Sequence, residues 1–195
     1  TEAELKSSEP LRTRILIQTD QALTAEQYLP QNVNSDSNRC AVYDATEGDR
    51  STTATNPGSD ETDSFGRSQS TGLEEVAKTI ERGAGEMLAN TNDPGPAELR
   101  LGCSSLRSLE KRYELDEIEQ FAHSVATTAR RHRGMCHFHY PMGDAAQPVR
   151  RLSTCVNARL EVSTVGSRIY VTWHTPYENV DGTEQPIDWF EIRGE

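Results

Sequence analysis

Apolar residues along the chain fall into two rhythms: short unbroken runs, and longer stretches in which they recur every third or fourth position. The first pattern specifies strands and the second amphipathic helices. Arg12-Thr-Arg-Ile-Leu-Ile-Gln-Thr19 predicts a first strand, and Cys40-Ala-Val-Tyr43 a second, with Asp44 at its carboxyl end. Between them, Thr24 to Leu29 predicts a short helix, with Thr24 and Gln27 spaced as a capping box and Pro30 as its stop. A second capping box, Thr71-Gly-Leu-Glu74, opens a longer helix on which Leu73, Val76, Ala77, Ile80, Ala84, Met87 and Leu88 share one face.

After the turn Asn92-Asp-Pro-Gly-Pro96 comes a strand, helix, strand unit. The strand is Leu99 to Cys103, followed by a short helical turn over Ser105 to Leu109. A helix from Leu115 to Arg131 buries Leu115, Ile118, Phe121, Ala122 and Val125, with Gly134 as its expected C-terminal stop, and Met135 to Tyr140 is the next strand. A helix of that length between two strands implies a right-handed crossover and a parallel pair. Ala158 to Val165 and Arg168 to His174 alternate about Gly166-Ser167, which predicts a hairpin, and Ile187 to Ile192 is a short apolar segment expected to dock on the sheet. One tract breaks the pattern: Thr46 to Ser70 is Ser, Thr, Gly, Asp and Asn with almost no apolar residue except Phe65, and is expected to be a disordered or mobile loop within a single α/β domain spanning residues 1–195.

Charge adds a second layer. The chain carries 31 acidic and 20 basic residues, a net charge of -11, and only Lys6, Lys78 and Lys111 among its cations are lysine. An acidic, lysine-poor surface stays hydrated where salt is abundant, which suggests a haloarchaeal style; the alternative is an ordinary acidic protein of a GC-rich genome. The balance weighs against nucleic acid as a main partner. No apolar stretch approaches a membrane span and no leader is visible, so a cytoplasmic protein is expected, with an upstream segment possible because the first residue is Thr1. Cys40, Cys103, Cys136 and Cys155 are widely spaced in apolar surroundings and imply no disulfide framework.

Several segments together resemble the RecA/KaiC-like proteins that haloarchaea carry, members of the P-loop ATPase superfamily that often lack the phosphate loop. The segments are Thr71-Gly-Leu, Leu101-Gly-Cys-Ser-Ser-Leu-Arg-Ser-Leu109, Phe121-Ala-His-Ser-Val-Ala-Thr127 and Gly134-Met-Cys-His-Phe-His-Tyr140. The resemblance covers about half the chain and implies a three-layer α/β fold with a mostly parallel sheet, here extended by a C-terminal β-hairpin. It also implies an Asp in the central strand where this chain has Ser104, and no Gly-x-x-x-x-Gly-Lys-[Ser/Thr] loop occurs. Without glycine-rich amides, a lysine and a magnesium-binding acid, a triphosphate has no cradle. The expectation is therefore a non-catalytic regulatory or interaction module that works through a protein partner or self-association, without ATP and without a cofactor. The rivals are an enzyme or sensor that binds a nucleotide or metal unconventionally, and an adaptor of a DNA-bound regulator.

Open α/β sheets bind ligands at their carboxyl edge, which points to Asp44, Ser104, Ser105, His137 and His139 as the lining of any pocket. Cys136, His137 and His139 are the densest group of metal-ligand types, but on a strand Cys136 points away from the two histidines, so a ligand from another element would be required. Ser104 and Ser105 lack the Gly-x-Ser-x-Gly elbow of a nucleophile and are expected to cap the helical turn that follows. Arg130, Arg131 and Arg133 suit the end of a helix, and Arg150 and Arg151 form a second local basic cluster, with contact to an anion or nucleic acid as the other reading. Trp173, Trp189 and Phe190 are expected as edge-covering aromatics or as part of an interface.

Overall fold

The computed structural model describes residues 12–21, 24–29, 39–46, 72–89, 95–143, 145–165, 168–175 and 189–192. The tract from 47 to 70 and the turn Gly166-Ser167 lie outside the described residues. Contacts divide the chain into two compact units, Thr1–Pro141 and Met142–Glu195.

The first unit is built on a four-stranded, all-parallel sheet in the order β2-β1-β3-β4: β1 Thr13–Gln18, β2 Cys40–Asp44, β3 Leu99–Cys103 and β4 Met135–Phe138. Strand β1 sits between β2 and β3. Helix α1 is the four-residue turn Ala25–Tyr28, and its capping box forms as expected, the Thr24 amide donating to Gln27 Oε1 at 2.8 Å. Helices α2, Leu73–Leu88, and α3, Leu115–Arg131, pack against each other over one face of the sheet.

That face explains the strand patterns. Thr13, Ile15 and Ile17 of β1 and Leu99, Leu101 and Cys103 of β3 are all almost fully buried, as are Ile80 of α2 and Ile118, Phe121 and Val125 of α3. Each buried aliphatic or aromatic side chain of this kind contributes roughly 1.5–3 kcal/mol, so the helical layer and the sheet hold each other. The Arg131 guanidinium pairs with Glu81 and ties α3 to α2 at the surface. The opposite face carries Arg14, Gln18, Arg100, Met135 and His137, because side chains alternate along a strand.

Two helix ends differ from the sequence reading. The N-cap of α2 is Gly72, with extended backbone, while Thr71 lies outside the described residues. At the end of α3 the left-handed residue is Arg133, with φ 52, and not Gly134. Gly134 is required for space: a Cβ there would stand 2.8 Å from the Leu99 carbonyl oxygen and 2.9 Å from Leu99 Cβ.

In the second unit, helix α4, Gln147–Leu152, and a 3-10 turn, Ser153–Cys155, precede an antiparallel sheet in the order β5-β6-β7. The predicted hairpin is β5, Arg159–Val165, against β6, Arg168–His174, with Val165 facing Arg168 across the turn. The terminal segment forms β7, Trp189–Ile192, which pairs with β6 and not with the parallel sheet. Among the described residues, no helix is long and apolar enough to cross a membrane.

Candidate functional site

Strand β1 has β2 on one side and β3 on the other, so the chain reverses its direction of winding between the carboxyl ends of β1 and β3. In an open parallel sheet that is where a ligand-binding crevice opens. Here the two ends are Thr19-Asp20 and Ser104-Ser105, and they are bonded to each other.

Thr19 and Ser104 are 3% and 4% exposed, which leaves little room for water to satisfy their polar atoms. Ser104 Oγ accepts the Thr19 amide at 3.0 Å and lies 3.1 Å from Thr19 Oγ1. Thr19 Oγ1 accepts the Ser105 amide at 3.0 Å and gives its own hydrogen to the Ser105 carbonyl. With that hydrogen committed, Ser104 must be the donor of the hydroxyl pair. Ser108 Oγ, on the 3-10 helix Leu106–Lys111, lies 2.7 Å from both the Thr19 and the Ser105 carbonyl oxygens. The Ser104 amide continues the ladder to Ile17, and the Leu106 amide donates to His139. Every backbone amide from Ser104 to Leu106, together with that of Thr19, is therefore taken by the protein itself.

This corrects the capping role expected of the two serines. Ser105 stands at the N-cap position of the 3-10 helix, yet no side chain caps it; Ser104 turns to Thr19 instead. Thr19 was not visible as a functional residue in the sequence, because its partners lie 85 and 86 positions away.

The other expected residues are spread along the edge. Asp44 ends β2, is exposed, and its Oδ1 accepts the Thr46 amide at 2.8 Å, a local turn. Asp20 receives the Tyr28 hydroxyl at 3.0 Å, and burial followed by this hydrogen bond raises the Tyr28 pKa. Burial pushes the Cys103 thiol up to about 12, so no thiolate is available there at neutral pH.

His137 and His139 stand with ring centroids 5.5 Å apart. His137 is not at the edge: it pairs with Gly102 inside the sheet, and its ring fills the place of a side chain on that glycine, where a Cβ would meet His137 Cε1 at 2.8 Å. Because β4 is an edge strand the residue stays exposed at its margin, while partial burial of its ring beside Gly102 lowers its pKa, with His139 and Arg100 adding to the effect. Cys136 is in register with Leu101, on the helix-covered face, and burial raises its pKa. Among the described residues no group of three His, Cys, Asp or Glu side chains could hold a metal ion.

Of the arginine trio, Arg131 is engaged with Glu81 and Arg130 donates to Thr127 Oγ1 at 3.1 Å. Arg133 makes the turn after α3. Trp173 lies on β6 opposite Leu160, 38% exposed, and Trp189 is placed in β7 by its backbone.

The fold and edge geometry define an α/β protein with a four-stranded parallel sheet whose switch point is closed by its own hydroxyls. The chain belongs to the family of unknown function DUF7504, whose profile matches residues 3–162. No curated protein matches it.

Proposed function

We propose that the chain is a non-catalytic regulatory or protein-interaction module on a three-layer, RecA/KaiC-like scaffold, working in the cytoplasm of a halophilic archaeon. The observation that carries this reading is the occupation of the switch point: the Thr19 amide, where a nucleotide-binding fold would open its phosphate loop, is bonded to Ser104 Oγ, and the Ser105 amide at the end of β3 to Thr19 Oγ1. The sequence adds the missing glycine-rich loop, lysine and strand-end acid. The scaffold persists without the chemistry of its edge, which suits binding better than turnover.

The surface that supports an interaction role is the β5-β6 hairpin. Leu160, Val162, Ile169 and Trp173 fall on one face by register and are exposed, Val162 at 65%. Strand β5 is also an edge of its sheet. An exposed apolar face that adjoins an unpaired strand edge is closed by the same edge of a second copy, in a two-fold symmetric pair.

The test is phosphate release from Mg-ATP by the purified chain in molar KCl, with Ser104→Ala alongside. No release above buffer is expected from either protein. Turnover that Ser104→Ala abolishes would make the carboxyl edge a catalytic site and overturn the reading.

A further inference from the structure

The sheet face opposite α2 and α3 has an electrostatic arrangement that the edge does not explain. Arg14 of β1 and Arg100 of β3 are register partners, so their side chains leave adjacent strands about 4.8 Å apart on the same face. Arg12 precedes Arg14 by two residues, and its charge also acts on Arg100. Like charges set directly opposite each other on a sheet destabilise it.

Nothing among the described residues relieves this. No hydrogen-bond acceptor or carboxylate engages Arg12 or Arg14, and the one partner of Arg100 is the sulfur of Met135, a weak acceptor. Arg100 Nε is buried without a hydrogen-bond partner. The influences on the Arg100 charge are burial, Arg12 and Arg14, all of them unfavourable. Among the described residues, three guanidiniums thus stand together with no carboxylate paired to any of them. Elsewhere the same chain does pair its cations, as Arg131 with Glu81 and Lys78 with Glu74 show.

We propose that Arg14 and Arg100, with Arg12, form a binding site for a compact oxyanion carrying two linked phosphoryl groups. Guanidinium forks bind phosphoryl oxygens in bidentate fashion, and two forks one strand spacing apart serve two adjacent groups better than one. A diphosphate would satisfy the orphaned Nε and screen the repulsion in one step. A nucleic acid fits less well: the patch is compact where a backbone needs a stripe, and the net charge of -11 opposes a long polyanion. The site is on the sheet face opposite α2 and α3 and does not depend on the carboxyl edge closed by Thr19 and Ser104.

The experiment is calorimetric titration with sodium pyrophosphate at the lowest KCl concentration at which circular dichroism shows the chain folded. Saturable binding is expected, weakened at least about tenfold by Arg14→Gln and by Arg100→Gln, and unchanged by Arg150→Gln. A parallel titration with ADP separates two sources of the same chemistry. Equal affinity assigns the site to the diphosphate alone; tighter binding, lost in the same two variants, assigns it to a diphosphate borne by a nucleotide. Without ligand, Arg100→Gln should melt above wild type, because removing one charge relieves the repulsion. The proposal falls if pyrophosphate gives no saturable heat, if Arg150→Gln weakens it equally, if Arg100→Gln melts below wild type, or if a single-stranded oligonucleotide binds more tightly than pyrophosphate.

Discussion

Ser104 Oγ accepts the buried amide of Thr19 and sits 3.1 Å from its hydroxyl, joining the ends of the two central strands. Removing one side of such a pair strands the other in a place water cannot reach. Ser104→Ala is expected to cost about 1–3 kcal/mol, seen as a lower urea midpoint with an unchanged slope. Thr19→Val should cost a similar amount, and the double variant less than the sum, since the two act through one network. Strict additivity in that cycle would mean that the network does not couple the strands.

His137 gives the fold a pH dependence of definite sign. Its pKa is lowered from 6.5 in the folded chain, by partial burial of the ring first and then by His139 and Arg100. Below about pH 6.5 the unfolded chain takes up a proton that the folded chain resists, so stability falls as pH falls. The loss ends once the pH is below the folded value as well. His137→Asn should flatten this part of the stability profile, measured by urea unfolding across mildly acidic pH. A steeper profile in the variant would contradict the assignment.

Val162, the most exposed large apolar residue of the β5-β6 face, is the position at which to test self-association. Wild type should show the mass of a dimer or larger species in light scattering at micromolar concentration. Val162→Lys should return it to the mass of one chain without changing its circular dichroism, because a charge is costly only where the face becomes covered. Identical masses for the two proteins would remove this face from the interaction reading.

The elements were legible wherever a local rule determined them. Ile118, Phe121, Ala122 and Val125 repeat at helical spacing, and α3 runs from Leu115 to Arg131 as that spacing implies. The hairpin follows from alternation about Gly166-Ser167, and its register agrees. What escaped depends on residues far apart in sequence. Nothing local marks Thr19 as the keystone of the switch point or Arg14 as the neighbour of Arg100, because strand order decides both. Strand alternation puts His137 and His139 on one face, and their rings do stand together, but nothing local shows that the His137 ring also lies over Gly102 of the neighbouring strand. Helix α4 escaped for another reason: Gln147 to Leu152 is too short to show a period.

Tyr43 of β2 and Gly83 of α2 meet so closely that a Cβ on the glycine would lie 1.8 Å from the tyrosine hydroxyl oxygen. The hydroxyl stands in the volume of a methyl group that the helix lacks, and Tyr43 is buried, so it has little freedom to step aside. The two positions form a single choice made once for strand and helix together. A relative with alanine at the glycine position must shorten its tyrosine or shift its helix, and the two residues should be inherited as a couple.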